Sequence, residues 1–126
     1  MNARILVVED NPKNMKLVRD VLEYAGYEVI GATTGEEGVE RAGECDPDLV
    51  LMDLQLPGMD GAEALRQLRA NGDHRLVPVV AVTAFAMKED RARAIAAGFD
   101  GYVEKPISVR SFPGQVGGFL AQDGSR

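Results

Sequence analysis

The 126-residue sequence has no tryptophan, one cysteine and one histidine. A single cysteine forms no internal disulfide. Cys45 also has no CxxC spacing and no neighbouring histidine to suggest a metal site, so it reads as an ordinary residue near a helix end. His74 sits in a polar loop without the partners that a catalytic or metal-binding histidine needs. Basic side chains are outnumbered by acidic ones, and the net charge of −6 argues against a nucleic-acid surface. No apolar stretch is long enough to span a bilayer. The N-terminal "MNARILVVEDN" runs from a short apolar segment into acids with no small-residue cleavage site, unlike a signal peptide. A cytoplasmic protein without a membrane partner is therefore expected. Repeats and low-complexity linkers are missing too, and the length suits one domain with one core. That domain is expected over residues 1–121, with 122–126 a polar tail prone to fraying.

Five short apolar runs are present: "RILVVED" (4–10), "YEVIGAT" (27–33), "DLVLMDL" (48–54), "VPVVAVTA" (77–84) and "GYVEKPI" (101–107). The first, third and fourth are nearly continuous in Val, Ile, Leu and Met, as strands of a parallel sheet are when both faces are covered. The other two are more mixed, as edge strands are. Helical patterns fill the gaps. Asn11 followed by Pro12 is an N-cap and first-turn pair, after which Met15, Val18, Leu22 and Ala25 keep helical spacing up to Gly26. A second helix over 34–44 carries Gly35 and Gly38, which weaken it. Asp60 and Glu63 form a capping-box-like pair ahead of a helix that turns Leu65 and Leu68 inward and closes at Gly72. A fourth helix spans 87–98 and ends at Gly98. Met15, Met52, Met59 and Met87 read as packing residues. The alternation is β-α five times, which predicts an α/β, flavodoxin-like three-layer sandwich with a five-stranded parallel sheet in order 2-1-3-4-5.

Ligands in such sheets sit at the carboxyl ends of the strands. In this topology Glu9 and Asp10 end the first strand, Asp53 the third, Thr83 the fourth and Lys105 the fifth, so all would meet on one rim. Each has an ordinary alternative. Glu9 and Asp10 could be solvated strand-end acids, Thr83 a plain strand residue, Lys105 a surface lysine. As a set they define chemistry. Three carboxylates in one cleft repel each other, and at least one should hold a raised pKa. A hard divalent cation with oxygen ligands, such as Mg²⁺, would relieve that repulsion. An aspartate carboxylate can act as a nucleophile toward phosphorus, and phosphoryl transfer needs charge neutralisation and positioning. Lys105 offers a positive point charge, and the Thr83 hydroxyl and the backbone N–H groups near Ala84 offer donors.

The stretches "ILVVEDN", "PDLVLMDLQLPGMDG", "PVVAVTA" and "GYVEKPI", in this order and spacing, resemble a response-regulator receiver domain of two-component signalling over residues 3 to about 112. The resemblance implies that Asp53 is the phosphoacceptor. It implies that Glu9, Asp10, Asp53 and the backbone carbonyl of Gln55 hold Mg²⁺, with Mn²⁺ as an alternative ion. Thr83 and Tyr102 match the switch pair, Ala84 follows the switch hydroxyl, and Lys105 matches the phosphoryl-contacting lysine. Pro106 matches a proline preceded by a cis peptide. The implied partners are a histidine kinase or histidine phosphotransfer protein as donor and a protein target downstream. That target would meet a surface made by the fourth helix, fifth strand and fifth helix. "VEDNPKNMKLVRDVLEYAGYEV" and "VPVVAVTAFAMKED" look most like free-standing receivers of the DivK type, cell-division regulators without an output domain.

The segment "SVRSFPGQVGGFLAQDG" departs from the family's amphipathic fifth helix. Its Pro113 and three glycines would cost about 6 kcal/mol of helix propensity relative to alanine. A broken, late-starting or mobile helix that orders further on binding a partner is expected there. Other functions fit less well. A phosphatase using an aspartate nucleophile typically has an acid–base Asp two residues on, where this sequence has Gln55, so at most slow self-dephosphorylation is expected. A flavin- or nucleotide-binding module would have a Gly/Ser/Thr-rich loop after the first strand, and "VVEDNPKN" is acidic. A receiver module cut from a hybrid histidine kinase remains an alternative, as does a binding module independent of phosphorylation, although the full site set argues against the latter.

Overall fold

The computed structural model describes residues 3–56, 58–59, 61–70, 77–84 and 88–124. Five strands alternate with five helices: β1 (Arg4–Val8), α1 (Pro12–Tyr24), β2 (Glu28–Ala32), α2 (Gly35–Cys45), β3 (Leu49–Asp53), α3 (Gly61–Ala70), β4 (Val79–Thr83), α4 (Lys88–Ala97), β5 (Gly101–Glu104) and α5 (Phe112–Gly124). All strand pairs are parallel and the sheet order is β2-β1-β3-β4-β5, as expected from the alternation. Alternate side chains of the central strands enter two separate cores. Leu6, Val8, Val50, Met52, Val79 and Ala81 pack with side chains from α2, α3 and α4. Ile5, Val7, Leu49, Leu51, Val80 and Val82 pack with those from α1 and α5. Every residue of β3 and β4 is buried, which explains why both are apolar up to their last residues, Asp53 and Thr83.

The strands are shorter than the apolar runs that announce them. β1 stops at Val8, although the Glu9 N–H still donates to the Ala32 carbonyl at 2.9 Å, and β5 stops at Glu104, just before a cis Lys105–Pro106 peptide. Glu9, Asp10 and Lys105 thus lie past the strand ends at the rim, where Asp53 and Thr83 are the last residues of β3 and β4.

The helices start largely as the sequence suggests. The Asn11 side chain accepts from the N–H groups of Lys13 and Asn14, with Pro12 at the first helical position. Met15 packs at the edge of the α1/α5 core and Met59 at the edge of the other, while Met52 is wholly buried. Cys45 is the last residue of α2, half-buried, and its carbonyl accepts from the Arg4 guanidinium. Asp60, Gly72, His74 and Met87 lie outside the described residues, so the readings placed on them have no counterpart here. Gly38 has a role beyond weakening α2. A Cβ there would stand 2.8 Å from a Val8 methyl, so glycine is what lets α2 approach β1 this closely.

The fifth helix resolves its own conflict by starting late. Ser108 caps a preceding turn, its hydroxyl accepting from the Ser111 N–H and its carbonyl from the Phe112 N–H. Helix α5 then begins at Phe112, which puts Pro113 in the first turn, where its missing N–H costs no helical hydrogen bond. Phe112 and Val116 are fully buried beneath the sheet. Gly114 and Gly118 have open space where a Cβ would sit, and neither has a positive φ. Gly114→Ala and Gly118→Ala are each expected to stabilise the protein by about 0.5–1 kcal/mol. Urea unfolding midpoints measure this; a fall in the midpoint would mean that the two positions are not helical in solution.

Candidate functional site

The polar residues at and just past the strand ends gather at the carboxyl edge of the sheet. Asp53 ends the central strand, and β1 and β4 flank it. Its side chain is buried, as is that of Glu9, whereas Asp10 is exposed. One carboxylate oxygen from each of Glu9, Asp10 and Asp53 lies within 4.8 Å of the others. Lys105 reaches into this cluster from the end of β5. Its Nζ donates to Asp53 Oδ2 at 2.7 Å and makes an equally short ion pair, 2.7 Å, with Glu9 Oε1. The remaining oxygens are held by backbone: the Gln55 N–H donates to Asp53 Oδ1 at 2.9 Å, and the Asn11 N–H donates to Glu9 Oε2 at 3.1 Å.

The electrostatics follow from this arrangement. Burial pushes the Glu9 carboxyl above its usual range; the hydrogen bonds from Lys105 and Asn11 pull it back only in part, and the Asp53 charge adds to the rise. For Lys105, burial alone would lower the pKa, but the two carboxylates outweigh it and hold the ammonium above its ordinary value. The lysine therefore stays charged and balances two buried acids. Asp10 leaves a further negative charge at the mouth, facing solvent. An all-oxygen donor set with an open, exposed member suits a hard divalent cation such as Mg²⁺ or Mn²⁺.

Thr83 ends β4 at the same edge and is fully buried. It lies one residue beyond Val82, which is in register with Asp53, and its carbonyl accepts from the Lys105 N–H at 2.8 Å. Ala84 follows it and is exposed. Tyr102 stands outside the carboxylate cluster. It is in register with Ala81 and half-buried against the α2–α4 side of the sheet. The Arg91 guanidinium of α4 lies 5.2 Å from its ring centroid. Two contributors were not legible as site residues: Asn11, which reads only as a helix cap, and Arg91. Asn11 could have been found from its place two residues after Glu9, where a turn brings its N–H back onto the acid. No sequence signal pairs Arg91 with Tyr102.

A parallel five-stranded sheet with an acid cluster and a lysine at its carboxyl edge is the architecture of a signalling receiver. The chain belongs to the response regulator receiver domain family, whose sequence profile matches residues 5–116. It is 45% identical over 120 residues to the polar-differentiation response regulator DivK of Brucella ovis, an alignment covering 95% of this chain and 98% of that protein. The receiver domain of the sensor histidine kinase PA1611 from Pseudomonas aeruginosa, solved with magnesium in its active-site cleft, is 34% identical with a TM-score of 0.88, covering 96% of this chain and 99% of that one. A putative response regulator from Chloroflexus aurantiacus superposes with a TM-score of 0.91 at 28% identity, with 96% and 99% coverage. Among the described residues no helix is long and apolar enough to cross a membrane.

Proposed function

We propose that this receiver takes a phosphoryl group from a phosphohistidine, on a histidine kinase or a histidine phosphotransfer protein, onto Asp53. An Asp53 carboxylate oxygen attacks phosphorus, the phosphorus–nitrogen bond of the donor breaks, and the imidazole leaves with a proton from solvent. The observation that carries this reading is the buried Asp53 carboxylate at the open end of the central strand, 2.7 Å from Lys105 and beside two more acids. Glu9, Asp10, Asp53 and the Gln55 carbonyl would hold Mg²⁺ or Mn²⁺, which when bound neutralises charge on the transferring group. Lys105 transfers its hydrogen bond from the carboxylate to a phosphoryl oxygen. The Thr83 hydroxyl and the Ala84 N–H donate to the others. Tyr102 then changes rotamer with Thr83, and the surface of α4, β5 and α5 engages a protein target in the cytoplasm. Gln55 supplies no acid–base carboxyl, so self-dephosphorylation is slow. A second reading, a receiver module within a hybrid kinase, is favoured by the likeness to the PA1611 receiver.

Incubation with acetyl phosphate and Mg²⁺, followed by intact-mass measurement, tests the proposal. One phosphoryl group is expected on the native chain, none without the metal and none on Asp53→Asn. Equal uptake by Asp53→Asn, or no uptake by the native chain, overturns it.

A further inference from the structure

Helix α4 buries little of its described surface. Of its side chains from Arg91 to Ala97 only Ala94 is buried, and Ile95 is half exposed. A helix normally docks through an apolar stripe, and between Arg91 and Ala97 the buried part of this one is a single small methyl. Arg91 lies one turn before Ala94, on the same face. Its guanidinium stands 5.2 Å from the Tyr102 ring centroid, within the range of a cation–π contact.

The geometry points to Arg91 as a positioning residue that holds the Tyr102 ring in its present rotamer and thereby ties α4 to β5. This rests on the reading of Tyr102 as the residue that changes rotamer when Asp53 is phosphorylated. Staggered χ1 wells are about 120° apart, so any change of rotamer carries the ring out from under the guanidinium. The contact and the rotated ring exclude each other. Arg91 therefore biases the resting rotamer by roughly two- to fivefold, the equilibrium shift that an exposed cation–π contact supplies. Release of Tyr102 removes an attachment between α4 and β5, so the helix loosens as the ring turns.

A double-mutant cycle of Arg91→Met and Tyr102→Leu, read by amide hydrogen exchange in α4 on the unphosphorylated protein, tests this. Each single change is expected to speed α4 exchange two- to fivefold, and the double variant no further. In protein carrying 3-fluorotyrosine, the Tyr102 fluorine resonance should move in Arg91→Met and return part-way in Arg91→Lys. Effects that multiply in the double variant, or a Tyr102 resonance indifferent to Arg91, overturn the inference. No phosphoryl group is present in the cycle, so it measures the coupling even if Asp53 accepts none. Failure of phosphoryl uptake would instead overturn the switch reading and leave the coupling standing.

Discussion

Lys105→Met is expected to cost about 3 kcal/mol of folding stability, a larger loss than removal of either acid it contacts. Lysine is the shared counter-charge of two buried carboxylates, with its Nζ 2.7 Å from each. Removing one partner of a buried ion pair typically costs about 3–5 kcal/mol, because the other charge stays behind without water. The lower end applies here, since Glu9 already has a raised pKa and can escape the cost by taking up a proton. Removing an acid has a different balance. Asp53→Asn leaves Lys105 paired with Glu9 and relieves the repulsion between two acids, so it is expected to be close to neutral. For a domain of this size, 3 kcal/mol corresponds to a fall of roughly 10 °C in melting temperature. The counter-charge argument carries a second expectation. Mg²⁺ bound among the acids would replace part of the missing positive charge, so it should raise the midpoint of Lys105→Met more than that of the native protein. Thermal melts of the three proteins with and without Mg²⁺ read both effects. A loss below about 1 kcal/mol, with no extra response to Mg²⁺, would show that the carboxylates are solvated enough to do without the lysine.

The residues around this ion pair also show where sequence reasoning reaches and where it stops. The runs containing Ile5 to Val8, Leu49 to Met52 and Val79 to Val82 announce strands because both faces of each are covered, and burial on both faces leaves no polar alternation. Their neighbours follow from the rule that parallel strands need crossovers, so the rim was legible as a set of strand ends. That Lys105 faces Asp53 was expected, whereas its second ion pair, to Glu9, was not. That Lys105 bridges Glu9 and Asp53 depends on how the chain leaves β5, a property of backbone direction with no periodicity to read. Arg91 over Tyr102 joins positions on α4 and β5 that only the packing of the fold brings together. Gly38 read as a helix-weakening residue because propensity is local, whereas its use is the space it leaves for Val8. The start of α5 was ambiguous for a related reason. Ser108 is a good cap, and only tertiary burial of Phe112 decides that it caps a turn and that the helix begins four residues later.

Phe112→Ala is expected to cost about 3–5 kcal/mol, the usual range for truncating a buried phenylalanine. The side chain is fully buried, and it borders a small space beneath the site together with Val7, Val18, Leu51 and Val82. Three of those four neighbours sit on central strands paired on both sides, which cannot move inward to fill the cavity, so the upper part of the range applies. The ring is also the anchor of a helix with little propensity of its own. Alanine at Gly114 and Gly118 together returns at most about 2 kcal/mol, so the triple variant should remain less stable than the native protein. The same small space is bordered by Glu9 and Asp53, but the Lys105 and Gln55 hydrogen bonds to Asp53 do not run through the ring, and uptake of a phosphoryl group should persist below the lowered melting point. Urea unfolding gives the free energy, and hydrogen exchange gives its location. α5 amides should exchange much faster in the variant, whereas those of α2 and α3, on the opposite face of the sheet, should change only with global stability. A loss under about 1 kcal/mol would mean that α5 is undocked in solution before any mutation. The cost of its glycines would then exceed what Phe112 and Val116 gain by burial, and the docked helix would belong to the partner-bound state.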